Sequence, residues 1–387
     1  MNFVQLLSLF QQTHSELQKR AVRSVDISLV IRNWLFGWYL LEFEQAGADR
    51  AELYGKNLIN RLATELKTLG LKGVSATSLR QYRSFYNAYR DIGPVAADYD
   101  LPQLKIQQAL PVESHLALLA NPDGLQAVTV ALDSRFKLGW THYVALLTLN
   151  NPDERRFYEI EAHANSWGSR ELERQIAASL YERLSLSRDQ VGIRALSQTG
   201  LLIEKAEDVI KNPYVLEFLD LEEQAAYSEN ELEIAIINKL EHFLLELGKG
   251  FLFEARQKRF TFENDHFYVD LVFYNRLLRC YVLIDLKRDK LTHQDLGQMQ
   301  MYVNYFDRYV RTEDELPTIG IVLCHRKNDA LVELTLPKDS NIFASKYQLY
   351  LPSKEELKKQ LEQAAGIAHL EATDRRSATD DSPHSRD

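Results

Sequence analysis

The chain has 387 residues, 45% of them hydrophobic, which leaves room for two or three folded domains and a substantial core. Two cysteines, Cys280 and Cys324, exclude a four-cysteine zinc site and a disulfide framework; both lie beside apolar runs and read as buried thiols. The formal net charge of −9 does not point to nucleic acid, but distribution matters more than the total, and residues 1–95 hold 12 Lys+Arg against 8 Asp+Glu.

The first twenty residues, MNFVQLLSLFQQTHSELQKR, lack a basic stretch before their apolar part, and no apolar run is long enough to span a bilayer. A cytoplasmic location is expected. No internal repeat, Walker loop or G-x-G-x-x-G supports ATP or NAD chemistry.

In chain order, residues 14–46 show helical spacing through Val25, Leu29, Trp34 and Tyr39. A helix over 55–69, a break at Gly70 and Gly73, an N-cap at Ser75 or Thr77 and a second helix follow, a helix-turn-helix pattern with a long turn. The second helix presents Arg80 and Arg83, with Tyr82 and Tyr86 between, as candidate nucleic-acid contacts. A plain helical hairpin with solvated arginines fits the same pattern equally well. Residues 96–127, rich in Pro, Asp and Gln, read as a connector before a helical block from Arg135 to Leu184. There Trp140, Tyr143 and Trp167 read as packing anchors and His142 as a satisfied core histidine. SRELERQIAASLYERL pairs acids and bases at helical spacing, as an exposed or partner-binding helix does.

The run ENELEIAIINKLEHFLLELG reads as one long amphipathic helix ending at Gly248 or Gly250. After a first strand comes the most informative stretch. Asp270 lies on one apolar strand, and Asp285 and Lys287 on the next, within YVLIDLK. Residues two apart on a strand share a face, so Asp285 and Lys287 point the same way. If Arg276–Arg279 turns tightly, Asp270 lies opposite or diagonal to Asp285. A buried unpaired charge costs several kcal/mol, roughly, so two carboxylates and an ammonium group in such strands imply a use. Two carboxylates can hold Mg2+, or Mn2+ in its place, for phosphodiester hydrolysis, while the lysine orients water or steadies developing charge. A buried Asp–Lys ion pair with a structural role is the alternative for D-x-K alone. The next helix, capped by Thr292 and Asp295, has an apolar stripe of Leu296, Met299, Val303, Phe306 and Val310. Gln298 and Tyr302 lie one turn apart on another face, free of core duty by this reading. A buried strand over Thr318–Cys324 follows, with Arg326 and Lys327 at its exit, then KYQLYLP (346–352) as a closing edge strand and a short charged helix. The polar end, ATDRRSATDDSPHSRD, reads as disordered.

The order helix, strand, Asp270 strand, Asp285-x-Lys287 strand, helix resembles the PD-(D/E)XK nuclease superfamily, with Asp where Glu is commoner at the first motif position. Gln298-x-x-x-Tyr302 is similar to the pattern behind the lysine in its RecB-like branch. The resemblance implies a glutamate on the preceding helix: Glu241 first, nine residues before Gly250, then Glu246, then Glu233. LRQYRSFYNAY, WTHY, FYEIEAHANSWGSRELERQIAASLYERL, NPYVLEFLDL and FLLELGKGF extend the resemblance, over roughly residues 15–352, to the YhcG-like family of bacterial nucleases.

The expected fold is α/β (α+β type): a helical region over 1–200, a PD-(D/E)XK restriction-endonuclease-like αβα domain with a mixed sheet over 201–353, and a helix with a disordered tail over 354–387. The expected function is Mg2+-dependent cleavage of nucleic acid, DNA ahead of RNA. Catalytic candidates are Asp270, Asp285, Lys287, Glu241 and Gln298; metal candidates Asp270, Asp285 and Glu241; nucleic-acid contacts Arg80, Arg83 and Tyr302. A homodimer is expected because cutting both strands of a duplex takes two active sites. The competing expectations are a nucleic-acid-binding or assembly protein that keeps the fold without hydrolysis, and a helix-turn-helix regulator with a dimerisation platform.

Overall fold

The computed structural model describes residues 3–20, 25–45, 56–90, 122–186, 188, 190–221, 227–337, 339–355, 357 and 359. Most of the expected connector, most of the charged C-terminal helix and the whole tail lie outside the described residues. The chain divides into two compact units, Met1–Leu172 and Glu173–Asp387. Among the described residues no helix is long and apolar enough to cross a membrane.

The first unit is helical. Where one periodic stretch was read over 14–46, the chain forms two helices, Phe3–Arg20 and Val25–Gln45. Helices Lys56–Thr68 and Ala76–Tyr89 follow, joined by a turn in which Gly70 and Gly73 take φ of +81° and +75°, conformations glycine adopts without steric cost. Ser75 caps the second helix by accepting from Ser78 N–H at 3.1 Å. Tyr82 lies inside, not on the exposed face: its hydroxyl donates to the Gly73 carbonyl at 2.6 Å and so ties the helix to its own turn. Helix Val25–Gln45 approaches this helix so closely that a Cβ at Gly37 would stand 2.1 Å from the Tyr82 carbonyl oxygen. Helix Pro122–Arg135 begins inside the stretch read as connector. His142 shares a hydrogen bond of 2.9 Å with the Trp167 carbonyl.

The second unit is built on a six-stranded sheet of order β1-β6-β5-β4-β3-β2, with β1 (Tyr214–Val215), β2 (Phe251–Phe262), β3 (Asp265–Asn275), β4 (Cys280–Lys290), β5 (Ile319–Arg326) and β6 (Ile342–Gln348). The strands β2, β3 and β4 run antiparallel, and β4, β5, β6 and β1 are parallel, so the sheet is mixed. Alternation along the central strands sorts their side chains between two cores. Ile284, Leu286, Ile321 and Leu323 meet Leu232, Ile236, Phe243 and Leu247 of helices Glu229–Asn238 and Leu240–Leu247. On the other face Leu283 and Val322 meet Leu296, Met299, Val303 and Phe306 of helix His293–Tyr309. Each fully buried side chain of this kind contributes about 1.5–3 kcal/mol, which is what holds an αβα sandwich together.

Two details differ from expectation. The strand read as a closing edge, β6, has a neighbour, because the two residues of β1 pair with Tyr347 and Gln348. The long amphipathic helix is broken at Lys239, whose φ and ψ of −119° and 30° end helix Glu229–Asn238 and start Leu240–Leu247.

Glu246, a candidate site acid from its spacing, is fully buried elsewhere. Its Oε1 meets Arg183 at 2.6 Å and accepts from Val215 N–H at 3.0 Å, and its Oε2 meets Arg174 at 3.5 Å. Arg183 is equally buried and also donates to the Ala178 and Pro213 carbonyls. Burial alone would raise the Glu246 carboxyl, but Arg183, Lys211 and Arg174 together hold it below its ordinary value. Removing one partner of a buried ion pair costs about 3–5 kcal/mol. E246Q is therefore expected to lower stability by that order at neutral pH, measured by chemical denaturation. A depressed carboxyl stabilises above its unfolded pKa and loses that contribution as pH falls through the folded one. The gap between parent and E246Q should accordingly shrink below pH 4.5, the ordinary glutamate value.

Candidate active site

The register of β3 against β4 runs from Asn275↔Cys280 to Leu271↔Ile284, and there the two strands part. Continued by one residue, the same register sets Asp270 against Asp285. Between the strands, Asn275 accepts from Leu277 N–H at 3.0 Å and Leu278 N–H at 3.2 Å, which closes Arg276–Arg279 into a tight turn and sets that register. Where the ladder stops, the Asp270 side chain takes over, its Oδ2 accepting from Leu286 N–H at 2.9 Å. Two residues beyond Asp285 on the same face, Lys287 places its ammonium 2.9 Å from Asp285 Oδ2 and 3.7 Å from Glu229 Oε2.

Burial governs the electrostatics. Asp285, 2% exposed, is pushed up to about 7, first by desolvation and then by the Asp270 carboxylate. Asp270 is raised as well, by burial and by Glu233, against the lowering effect of Leu286 N–H and Lys287. Burial works to lower Lys287, but Asp285, Glu229 and Asp270 outweigh it and raise its value further. The lysine therefore carries its charge beside the two aspartates.

The helical glutamate that stands beside Asp270 is Glu233, the third of the three candidates. It is 3% exposed, its Oε1 is held by Arg256 Nε, and its Oε2 lies 2.5 Å from Gln257 Nε2, which also reaches Asp270 Oδ1 at 3.0 Å. Glu241, the first choice, sits on the exposed side of helix Leu240–Leu247, past the break at Lys239. A helix rises 1.5 Å per residue, so the eight positions between the two glutamates amount to more than two turns.

Helix His293–Tyr309 starts as read, with Thr292 and Asp295 making a reciprocal capping box. Gln298 is partly buried and donates its amide to the Tyr302 hydroxyl. Tyr302 itself is 1% exposed and belongs to the core under that helix, its ring edge-on to Phe260 at 5.5 Å. It is no surface contact; one turn of helix leaves Gln298 at the rim and Tyr302 beneath it. Arg80 is exposed, whereas Arg83 is paired with Glu44 at 2.8 Å. Of the residues sequence reasoning passed over, Glu229 had a readable signal, its i,i+4 spacing to Glu233 on one helix face. Arg256 and Gln257 had none.

Among the described residues no three acidic, histidine or cysteine groups converge into a ready cation cage. The donors nonetheless suit a hard divalent ion: three carboxylates on separate elements, two of them raised first by burial and then by a neighbouring carboxylate. In their present positions Arg256 and Gln257 hold the Glu233 oxygens, and Gln257 and the Leu286 N–H hold those of Asp270.

Residues 207–362 match the YhcG PDDEXK nuclease domain and residues 10–183 the DUF1016 N-terminal domain. The Escherichia coli (strain K12) protein named "Putative nuclease YhcG" is 36% identical over 377 residues, covering 91% of this chain and 93% of that one. Among solved structures, a repair endonuclease from Pyrococcus abyssi shares 18% identity over 33% of this chain and 50% of its own, at a TM-score of 0.22. The EndoMS-dsDNA2 complex shares 19% over 34% of this chain and 48% of its own, at 0.23. The chain thus spans about half the length of each of those structures. Near-full-length identity to the Escherichia coli protein and matches to both domain models place the chain in one family: it belongs to the YhcG family, with a PDDEXK nuclease domain at its C-terminal side.

Proposed function

We propose that this protein is a divalent-cation-dependent nuclease that hydrolyses phosphodiester bonds, with DNA ahead of RNA as substrate. The observation that carries this reading is the pairing of Asp270 and Asp285 where β3 and β4 part, with Lys287 at 2.9 Å from Asp285 and Glu233 beside Asp270. Glu233 replaces Glu241 as the helical acid in this reading. Glu233, Asp270 and Asp285 would hold the ion, Mg2+ by preference or Mn2+, which when bound supplies positive charge to phosphoryl oxygens and makes water more acidic.

The remaining work falls to the chain. Lys287, fixed by Asp285 and Glu229, keeps a proton at Nζ and directs it at the attacking water or at the charge that builds on the phosphoryl group. Gln298, at the rim and steadied by Tyr302, is positioned to orient water or substrate. Beside the site, β2 carries Arg259 and Lys258 exposed, the latter in a surface pair with Glu254 that a phosphate can displace, and both suit phosphate contacts that are salt-dependent and blind to sequence. Arg80 on the helix-turn-helix-like pair is the further DNA contact, and Arg83 is left to Glu44. A homodimer and a cytoplasmic location complete the proposal.

Cleavage of supercoiled plasmid should require Mg2+ or Mn2+ and stop with EDTA. D270A, D285A and K287A should each lower the cleavage rate by about a hundredfold or more while nucleic-acid binding persists. Cutting by any of them at the parent rate would remove that residue from the site. E233Q and E241Q decide between the two glutamates: E233Q should lose cleavage to a similar degree and E241Q should keep it. Binding without cleavage in the parent protein, across duplex, single-stranded and branched DNA and RNA, would favour a protein that retains the fold without hydrolysis.

A further inference from the structure

Gln257 occupies the centre of the acidic site from an unexpected place. It lies in β2 between Arg256, paired with Leu271, and Lys258, paired with Val269, yet its φ is +47°. Left-handed backbone inside a strand is unfavourable for any residue with a Cβ, and such strain gathers where a side chain has a task. Here the departure accompanies an amide whose single nitrogen reaches two acids, Glu233 Oε2 at 2.5 Å and Asp270 Oδ1 at 3.0 Å. The amide has two N–H bonds, one for each carboxylate.

The opposite oxygens of both acids are already engaged, Glu233 Oε1 by Arg256 and Asp270 Oδ2 by Leu286 N–H. The oxygens that Gln257 bridges are therefore the ones left for a ligand. Its own residue is exposed on the outermost strand, so the side chain can leave without disturbing a core. The bridging amide nitrogen lies between the two acids that would help hold an ion.

We propose that Gln257 is a positioning residue that acts as an amide latch. It holds Glu233 and Asp270 in the cation-free site and must swing out when a divalent ion enters, so it sets the ion concentration at which the site loads. The inference rests on the cation-binding reading of Glu233, Asp270 and Asp285. A dipole that neutralises two carboxylates partly, and reversibly, keeps the empty site folded without closing it to the ion. Its charge-assisted hydrogen bonds are strong enough to compete measurably.

The test is calorimetric titration of the full-length protein with Mn2+, without nucleic acid, for parent, Q257G, Q257E and D285N. Glycine accepts a φ of +47°, so Q257G removes the amide and relieves the backbone at once. Q257E keeps the shape but replaces donors with a further carboxylate. Q257G and Q257E are expected to bind Mn2+ about tenfold more tightly than parent, a change of the order that one or two such bonds can make. The Mg2+ concentration for half-maximal cleavage should fall in parallel in Q257G, with KM for nucleic acid unchanged. Parent binding that is lost in D285N but unaltered or weakened in Q257G would overturn the latch and leave the site reading intact. Absence of Mn2+ binding in every variant would overturn both.

Discussion

Two carboxylates that face each other at the end of a buried ladder repel, and at short range in a poorly solvated place the repulsion is large. Asp270 and Asp285 are forced into that relation by the β3–β4 register, which the Asn275 turn sets. The surroundings are a set of partial remedies. Lys287 answers Asp285, the Leu286 N–H answers Asp270, and Gln257 spans Asp270 and Glu233, each satisfying one side of an acid and leaving another. Both aspartates remain raised, by burial first and by the neighbouring carboxylates after it. The clustering of three acids with one ammonium group is what supports the proposed cation site over a plain structural ion pair.

How much of this was legible depended on whether the relevant pattern was local. Asp285 and Lys287 share a face because strands alternate, and Asp270 falls opposite because the connecting turn is short; both follow from spacing alone. The helical acid did not, since it depended on where a helix broke. Nothing in the composition around Lys239 announces the break, and on a continuous helix Glu233 and Glu241 stand about 80° apart around the axis, within one broad face. The strand β1 has two residues, too few to carry a period. Tyr302 is core for a different reason: a tyrosine off the main apolar stripe can still be buried when the stripe is wide, and its hydroxyl is satisfied by Gln298. Gln257 reaches the site through a left-handed residue within a strand, a departure from alternation that no hydropathy pattern encodes.

The helical unit illustrates the same distinction. Capping at Ser75 and the glycine turn were local and readable. The pairing of Arg83 with Glu44, across 39 positions of sequence, and the burial of Tyr82 against the Gly37 approach were not. Which arginines on a helix are engaged within the chain becomes readable only once their partners are known: Arg80 is exposed and Arg83 pairs with Glu44.

The contact between Glu246 and the Val215 N–H has a meaning beyond the ion pair it accompanies. A strand of two residues has too little ladder to hold itself in place, and β1 is what covers the outer side of β6. Arg183 and Glu246 therefore act as an anchor for an edge cover, since Arg183 also grips the Pro213 carbonyl just before β1. The other margin of the sheet, β2, bears charged side chains that discourage pairing with a second chain. One margin is protected by charge in solvent and the other by charge in the core. If the buried anchor is lost, β6 becomes an open template for strand addition, and self-association follows from a change far from any surface.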